Sequence, residues 1–521
     1  MKRALLCVLL ISLAVLLPRA ILIRQSQSES SDDDYHLVRG LEFLHRDTGL
    51  VNRELNDPPL GQALAALPLR LMGGTTHGRD EGTALYDQPH YSPDTALMAV
   101  AIWKVLLFLP LIATVFIWCR QLYGLSSAYL AVALLLIEPT IAAHLHLASL
   151  DVLAASGIVI ACYVGWRYVQ NPSPARLVAA AATCATALLL KHTGILVPLI
   201  LCGYALIDWL RRRDSARTRL AGLTRGALLT ILFMWVLLGF DLSPVGKVGA
   251  VPGGLYVKSV LDAADHVAAP NDAYLHGQIR RGGWWYYFPV VASYKIPIGI
   301  GVILALGLVS SVYLRPRWEE WVLLLPLGAY VVFLMCQNIN IGWRHFLPAY
   351  LFLLIIASRC MAAGRCWRIA GWVAVAITAL DVARWHPDYF AYVNFPRRDV
   401  YLSINDSNID WGQGLKQAGR WLDEHASFVA GRPVYFRASA VSNRAVRYNL
   451  GRRVIQLHMG DAAPRSGVLI LSPVSLSGLS ESHDEYAFLR NVVPHAVIGH
   501  ALRVYDLDRH GEATGNGGSS K

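Results

Sequence analysis

The chain has 521 residues, 55% hydrophobic and only 16% charged, with a formal net charge of +11. Soluble domains carry about 25% charged residues, so this balance excludes an ordinary soluble chain, as well as disorder, collagen and a disulfide scaffold. The positive charge invites a nucleic-acid reading, which the placement of that charge decides.

The first apolar run, 4–23, follows Lys2-Arg3. Pro18-Arg19 interrupts it and no small-x-small cleavage site follows, so it reads as an uncleaved signal anchor. Segment 24–96 carries twelve Asp/Glu against six Arg and no Lys, a net of −6. It holds helical patterns around 34–46 and 60–72, parted by Asn56-Asp57-Pro58-Pro59, because the prolines forbid a continuous helix. Further runs lie near 98–118, 128–143, 149–166, 177–190, 193–210, 224–240, 295–314, 320–336, 346–358 and 367–383. Each is close to the length needed to cross a bilayer, giving about eleven spans. All eight cysteines lie in these runs or at their edges, with no CxxC pair, and read as small hydrophobes rather than ligands.

Arginines mark alternate turns: Arg120, Arg167 with Arg176, the cluster from Arg211 to Arg225, Arg315 with Arg317, and Arg359 to Arg368. By the positive-inside rule these turns are cytoplasmic, with the N-terminus. Segments 24–96 and 241–294 and everything after 384 then lie outside. The basic charge is a topology signal, not a nucleic-acid footprint. Beyond the last span, a helix near 412–425 and short β-branched runs at 433–436, 454–457, 468–471 and 501–505 read as a small α/β domain. The Gly/Ser-rich tail 511–521 reads as disordered. The predicted class is an α-helical polytopic membrane protein: 1–390 form the transmembrane domain with its first outer loop, and 391–510 an extracytoplasmic α/β domain.

Ionisable groups are kept out of hydrocarbon unless function needs them. Here they gather at the outer ends of the spans: Asp32-Asp33-Asp34 and His36, then Glu138, His144, His146 and Asp151, then Lys191-His192, Lys295, and Arg344-His345. This convergence suggests chemistry on an anionic, membrane-borne substrate. The aspartate run reads either as a solvated patch or as a general base, and Asp32 with Asp34 is spaced to hold a divalent cation through hard oxygens. Lys191 reads as a snorkelling lysine or as a counter-charge for a lipid phosphate. Trp284-Trp285-Tyr286-Tyr287 reads as an interfacial belt or as a platform for a sugar or an isoprenoid. Arg344 has the strongest case among the cations, since a guanidinium grips phosphate bidentately.

Several motifs together resemble polyprenyl-phosphate-dependent membrane glycosyltransferases of the GT-C superfamily, in its protein O-mannosyltransferase and aminoarabinose transferase-like branches. They are Asp32-Asp33-x-x-His36-x-x-x-Gly40, Asp57-Pro58-Pro59-Leu60, Pro139-x-x-x-Ala143-His144 with Asp151, and Leu190-Lys191-His192-Thr193. Gly283-Trp284-Trp285-Tyr286-Tyr287-Phe288-Pro289 with Lys295-x-Pro297, Asn340-Ile341-Gly342-Trp343-Arg344-His345, His386-Pro387-Asp388-Tyr389, and Asp406-Ser407-Asn408-x-Asp410-Trp411-Gly412-Gln413 complete the set. Two departures stand out: Asp33 replaces a glutamate, and Asp57 replaces a basic residue. The resemblance implies a sugar transferred from a polyprenyl-phosphate carrier to a protein, lipid or glycan acceptor of the cell envelope at the outer face, with inversion. Asp32 would be the base, with Asp33 beside it. Lys191 and Arg344 would meet the lipid phosphate, and His36, His144, Asp151, Lys295 and His345 would assist in substrate binding. Two other classes explain part of the pattern. A transporter or flippase accounts for the spans but not for the acidic first loop or the lack of repeat symmetry. A non-catalytic envelope-assembly scaffold would use 391–521 as its interaction module.

Overall fold

A computed structural model describes the chain except residues 1, 53, 76–82, 213–214, 269–270, 315–317, 396–399, 440, 480, 482–483 and 510–521. The predicted basic turn at Arg315 and Arg317 and the tail 511–521 lie outside the described residues. Among these, eight helices are long and apolar enough to cross a membrane, or up to ten if each of two bent pairs forms one span. The shorter apolar helix Pro174–Leu190 accompanies them. Each of the eleven predicted runs falls on one of these elements. The chain is an integral, multi-pass α-helical membrane protein.

The helices sort into layers by the solvent they meet. Asp151–Gln170 and Trp343–Ala363 are central, each 72% buried, whereas Arg217–Leu237 is 6% buried and turns Leu220, Leu228 and Ile231 outward. Lipid tails are as apolar as leucine, so a fully exposed leucine face suits a peripheral span.

Prolines set the two breaks. Before Pro139, Glu138 is forced into extended backbone (φ −67°, ψ 121°), and Leu125–Ile137 meets Pro139–Leu145 at 58°. Ile296-Pro297 does the same between Tyr287–Lys295 and Ile298–Tyr313, which meet at 117°. Lys295 therefore ends a short helix lying before the span rather than opening the span, as the sequence suggested. The helix carrying His144 likewise stops at Leu145 and a new one starts at Asp151, so these residues do not share one continuous helix face.

Two helices of the first loop, Asp33–Leu44 and Pro59–Leu71, pack against each other so closely that a Cβ on Gly40 would sit 2.2 Å from the Gln62 carbonyl oxygen. At the other end of the chain, a five-stranded sheet runs in the order Ile455–Gln456, Val434–Arg437, Val468–Leu471, Leu502–Asp506, Ala496–Ile498. The first three strands are parallel and the last two join antiparallel. The helix Leu415–Glu424 lies beside them and reaches the membrane helices, with Lys416 donating to the Arg24 carbonyl at 3.0 Å.

Candidate active site

The site is built on the turn between Leu145 and Asp151, which three buried groups hold from outside. Lys104, inside the span Pro93–Tyr123, donates to the carbonyls of His144 (3.1 Å), Leu147 and Ser149. Arg24 donates to the His146 carbonyl at 3.1 Å. Asp33 accepts from the Ala148 N–H at 2.8 Å, from both the hydroxyl and the N–H of Ser30, and lies 3.6 Å from Arg24. A buried lysine that satisfies three carbonyls compensates the desolvation of both parties. The first loop is pinned to the Trp411 motif in the same way. Ser28 and Ser31 N–H groups donate to the carbonyls of Gln413 (3.0 Å) and Trp411 (2.9 Å), and the Leu415 N–H donates to the Ser28 hydroxyl.

The adjacent aspartates thus have opposite situations. Asp33 is fully buried, its oxygens taken by the chain's own donors. Asp32 sits at the N-cap position of Asp33–Leu44 without capping it, its side chain 43% exposed, 3.6 Å from the Arg344 guanidinium. Arg344 is buried and stacks on Trp411 with its carbon 3.6 Å from the ring centroid. Trp411 in turn stacks on Phe390, and the His144 ring leans on both. Opposite them Lys191 pairs with Asp151 at 2.6 Å.

Two further carboxyls complete the cluster. Burial raises Asp57 to about 6, against the opposing pull of Lys191, while Asp151 and Asp32 add to the rise. Asp406, held at a positive φ of 62°, is also raised to about 6 by burial, with the Ser407 N–H and Arg344 opposing. Burial lowers His36 to about 4 despite Asp32, so its imidazole is neutral at pH 7. Buried nitrogens of His36 (Nδ1), His144 (Nδ1), His345 (Nε2) and Arg344 (Nε) make no hydrogen bond among the described residues. Such groups are costly to leave dry, which marks a place that a polar ligand or water fills.

The structure therefore brings together Asp32, His36, His144, Asp151, Lys191, Arg344 and His345. Other predicted residues are committed elsewhere. Lys295 donates to the carbonyls of Phe390 (3.0 Å), Tyr392 (2.8 Å) and Asn408 (2.8 Å), tying three segments together rather than reaching a phosphate. The aromatic run is split: Trp284 is buried while Trp285 and Tyr286 are exposed in an edge-to-face pair. Asp34 follows Asp32 by two helical positions, roughly 200° around the axis. Among the described residues no group of three or more His, Cys, Asp or Glu is placed to hold a metal ion.

Lys295→Met should leave three buried carbonyls unpaired, each costing about 1–3 kcal/mol. The expected result is a large drop in melting temperature with activity lost in proportion to folded protein. A normal melting curve with lost turnover would instead give Lys295 a chemical role.

Sequence reasoning missed three groups. Asp57 was read only as a departure, although its place before Pro58-Pro59 sets it at the start of Pro59–Leu71, where a Cβ on Gly61 would sit 2.3 Å from the Leu190 carbonyl oxygen, beside Lys191. Lys104 carried a signal, a lone lysine inside an apolar run. Gln62 carried none: it is fully buried, and neither amide atom is hydrogen-bonded among the described residues.

Residues 94–238 match the family of dolichyl-phosphate-mannose-protein mannosyltransferases. ArnT from Cupriavidus metallidurans in the apo state superposes with a TM-score of 0.52 at 13% identity, covering 96% of this chain and 98% of that one. The same protein bound to undecaprenyl phosphate gives a TM-score of 0.50 at 15% identity, covering 95% and 97%. No curated protein matches by sequence. The family match lies on the spans that carry Lys104, His144, Asp151 and Lys191, and the likeness of fold to ArnT extends over nearly the whole chain.

Proposed function

We propose that the protein moves a sugar from a polyprenyl-phosphate carrier to an acceptor at the outer face of the membrane, with Asp32 as general base. The observation that carries this reading is the asymmetry of the aspartate pair: one carboxylate is sealed in the fold, while its neighbour is half exposed beside a buried guanidinium. In the reaction the acceptor oxygen attacks the anomeric carbon, its proton passes to Asp32, and the bond from that carbon to the phosphate oxygen breaks. Arg344, with Lys191, meets the charge that develops on the leaving phosphate. Asp33 and Lys295 are positioning residues, and Asp151 holds Lys191. The related ArnT binds undecaprenyl phosphate, which supports a lipid carrier of that kind here. A lipid carrier also explains why a polar reaction is mounted on so many spans. Residues 1–390 would form the catalytic transmembrane unit and 391–510 its outer domain.

The test is direct. The purified full chain, given polyprenyl-phosphate sugars and an envelope extract, should release polyprenyl phosphate and label an acceptor. Movement of the carrier across proteoliposomes without a glycosidic product would overturn the proposal. Sidedness is checked separately: a cysteine placed within 441–460 should react with an impermeant thiol reagent in intact cells, and protection would reverse the orientation.

Acidity should tune donor binding. Folding raises the pKa of Asp57 and Asp406, so their contribution to stability is fully present below the ordinary carboxylate range and is lost as pH climbs past about 6. The same ionisation places negative charge where the phosphate must sit. Lowering the pH from 7.5 to 5.5 should therefore lower the donor KM by about fivefold, the worth of one like charge at ~1 kcal/mol. Asp57→Asn should lower KM at pH 7.5 and flatten the profile. An unchanged profile in that variant would remove Asp57 from the donor site.

A further inference from the structure

The spans that frame the acidic site line a cavity of about 300 Å³ at their opposite ends. Asp151–Gln170 contributes Trp166, His192–Arg212 contributes Asp208, Arg211 and Arg212, and Trp318–Met335 contributes Trp318 and Glu319. Two of these helices begin at Asp151 and His192 beside the active site, so the cavity lies about 30 Å away, at the other membrane surface.

Its charges differ in what they hold. Asp208 is buried and pairs with both Arg212 (2.9 Å) and Arg219, and Arg212 also donates to the Gln170 carbonyl. Those groups staple the helix ends. Arg211 has no carboxylate within ion-pair distance among the described residues, and its guanidinium lies 5.5 Å from the centre of the Trp318 ring. Glu319 pairs with no cation among the described residues. One cation and one anion thus line the same cavity without neutralising each other. A simple anion would satisfy Arg211 and face Glu319, and a simple cation would do the reverse. A zwitterion satisfies both. Trp318, half exposed, stands where indole rings meet lipid headgroups.

We propose that this cavity holds the headgroup of a zwitterionic aminophospholipid, its phosphate on Arg211 and its ammonium between Glu319 and the Trp318 ring. The lipid would bridge the ends of three spans on the face away from the chemistry.

The full chain is placed in nanodiscs of phosphatidylglycerol alone or mixed with phosphatidylethanolamine, and lipid retained after stripping is counted by native mass spectrometry. Phosphatidylethanolamine should be retained about tenfold over phosphatidylglycerol, the share of one charge-assisted contact. Glu319→Gln should abolish this preference, whereas Arg211→Ala, which removes the contact to the phosphate that both lipids carry, should lower retention of both, with melting temperature in phosphatidylglycerol unchanged. Should Glu319→Gln fold poorly, Glu319→Asp, which keeps the charge, should retain the lipid, while Trp318→Leu should weaken it. Equal retention of the two lipids, or a preference that survives loss of the Glu319 charge, overturns the proposal. Displacement of the lipid by an equal concentration of soluble phosphoethanolamine overturns the lipid assignment in favour of a free metabolite.

Discussion

Asp32→Asn is expected to cut turnover by about 10²–10⁴, the usual worth of a positioned general base, while the protein still inserts and melts normally. The fold has little to lose there. Asp32 makes no capping hydrogen bond to its helix, and its contact with Arg344 is a 3.6 Å pair with the carboxylate 43% exposed. Partly exposed pairs of this kind contribute about 0–1 kcal/mol. The amide keeps the shape of the carboxylate and still offers an oxygen to Arg344, so the donor KM should change little and kcat should carry the loss. Asp33→Asn separates the roles. It removes the charge that faces Arg24 and leaves one oxygen to serve the Ser30 and Ala148 donors. That variant should lower melting temperature and lose activity only as the outer turn shifts. Asp32→Glu should recover part of the rate because the base is restored at a displaced point. Transfer assays with a lipid-phosphate sugar, run beside melting curves, read both effects. Full turnover in Asp32→Asn would sink the assignment of the base.

The contrast between those aspartates also marks the limit of sequence reading. The spans were legible because the bilayer imposes a length: an apolar run near twenty residues has few other uses. The bends at Pro139 and Pro297 have a signal that goes unread: proline disfavours the α conformation in the residue before it, yet 128–143 and 295–314 each read as one run. The gathering of charge at one set of helix ends followed from topology alone. What could not be read is which charge is free. Asp32 and Asp33 are chemically identical neighbours, and Lys191 and Lys295 both follow apolar stretches. Their fates depend on carbonyls and N–H groups brought from far along the chain: Ala148 for Asp33, and Phe390, Tyr392 and Asn408 for Lys295. Short elements escaped for another reason. The hairpin Asp272–Leu275 with Gln278–Arg281 carries a single β-branched residue, Ile279, and so lacked the mark that revealed strands of the same length such as Val468–Leu471.

Arg344 is where charge and shape can be tested apart. Its guanidinium is stacked 3.6 Å from the Trp411 centroid, and this fixes the plane in which its N–H groups point. A leaving phosphate that gains charge in the transition state would meet two donors in one plane, already oriented and already desolvated. Arg344→Ala should therefore lower kcat by about 10²–10³, the loss seen when one preorganised donor to a developing oxyanion is removed. Arg344→Lys keeps the charge but not the plane, and a flexible ammonium cannot stack or grip bidentately. It should restore no more than about a tenth of the lost rate, and Trp411→Leu should fall between the two because the guanidinium survives without its support. The nature of the leaving group gives the discriminating readout. With a donor whose phosphate leaves more easily, less charge needs stabilising and the defect of Arg344→Ala should shrink, whereas the defect of Asp32→Asn should persist because the acceptor must still lose its proton. Equal defects on both donors would make Arg344 a support for Asp32 and Trp411, acting through position, and the phosphate would then have to be met by Lys191.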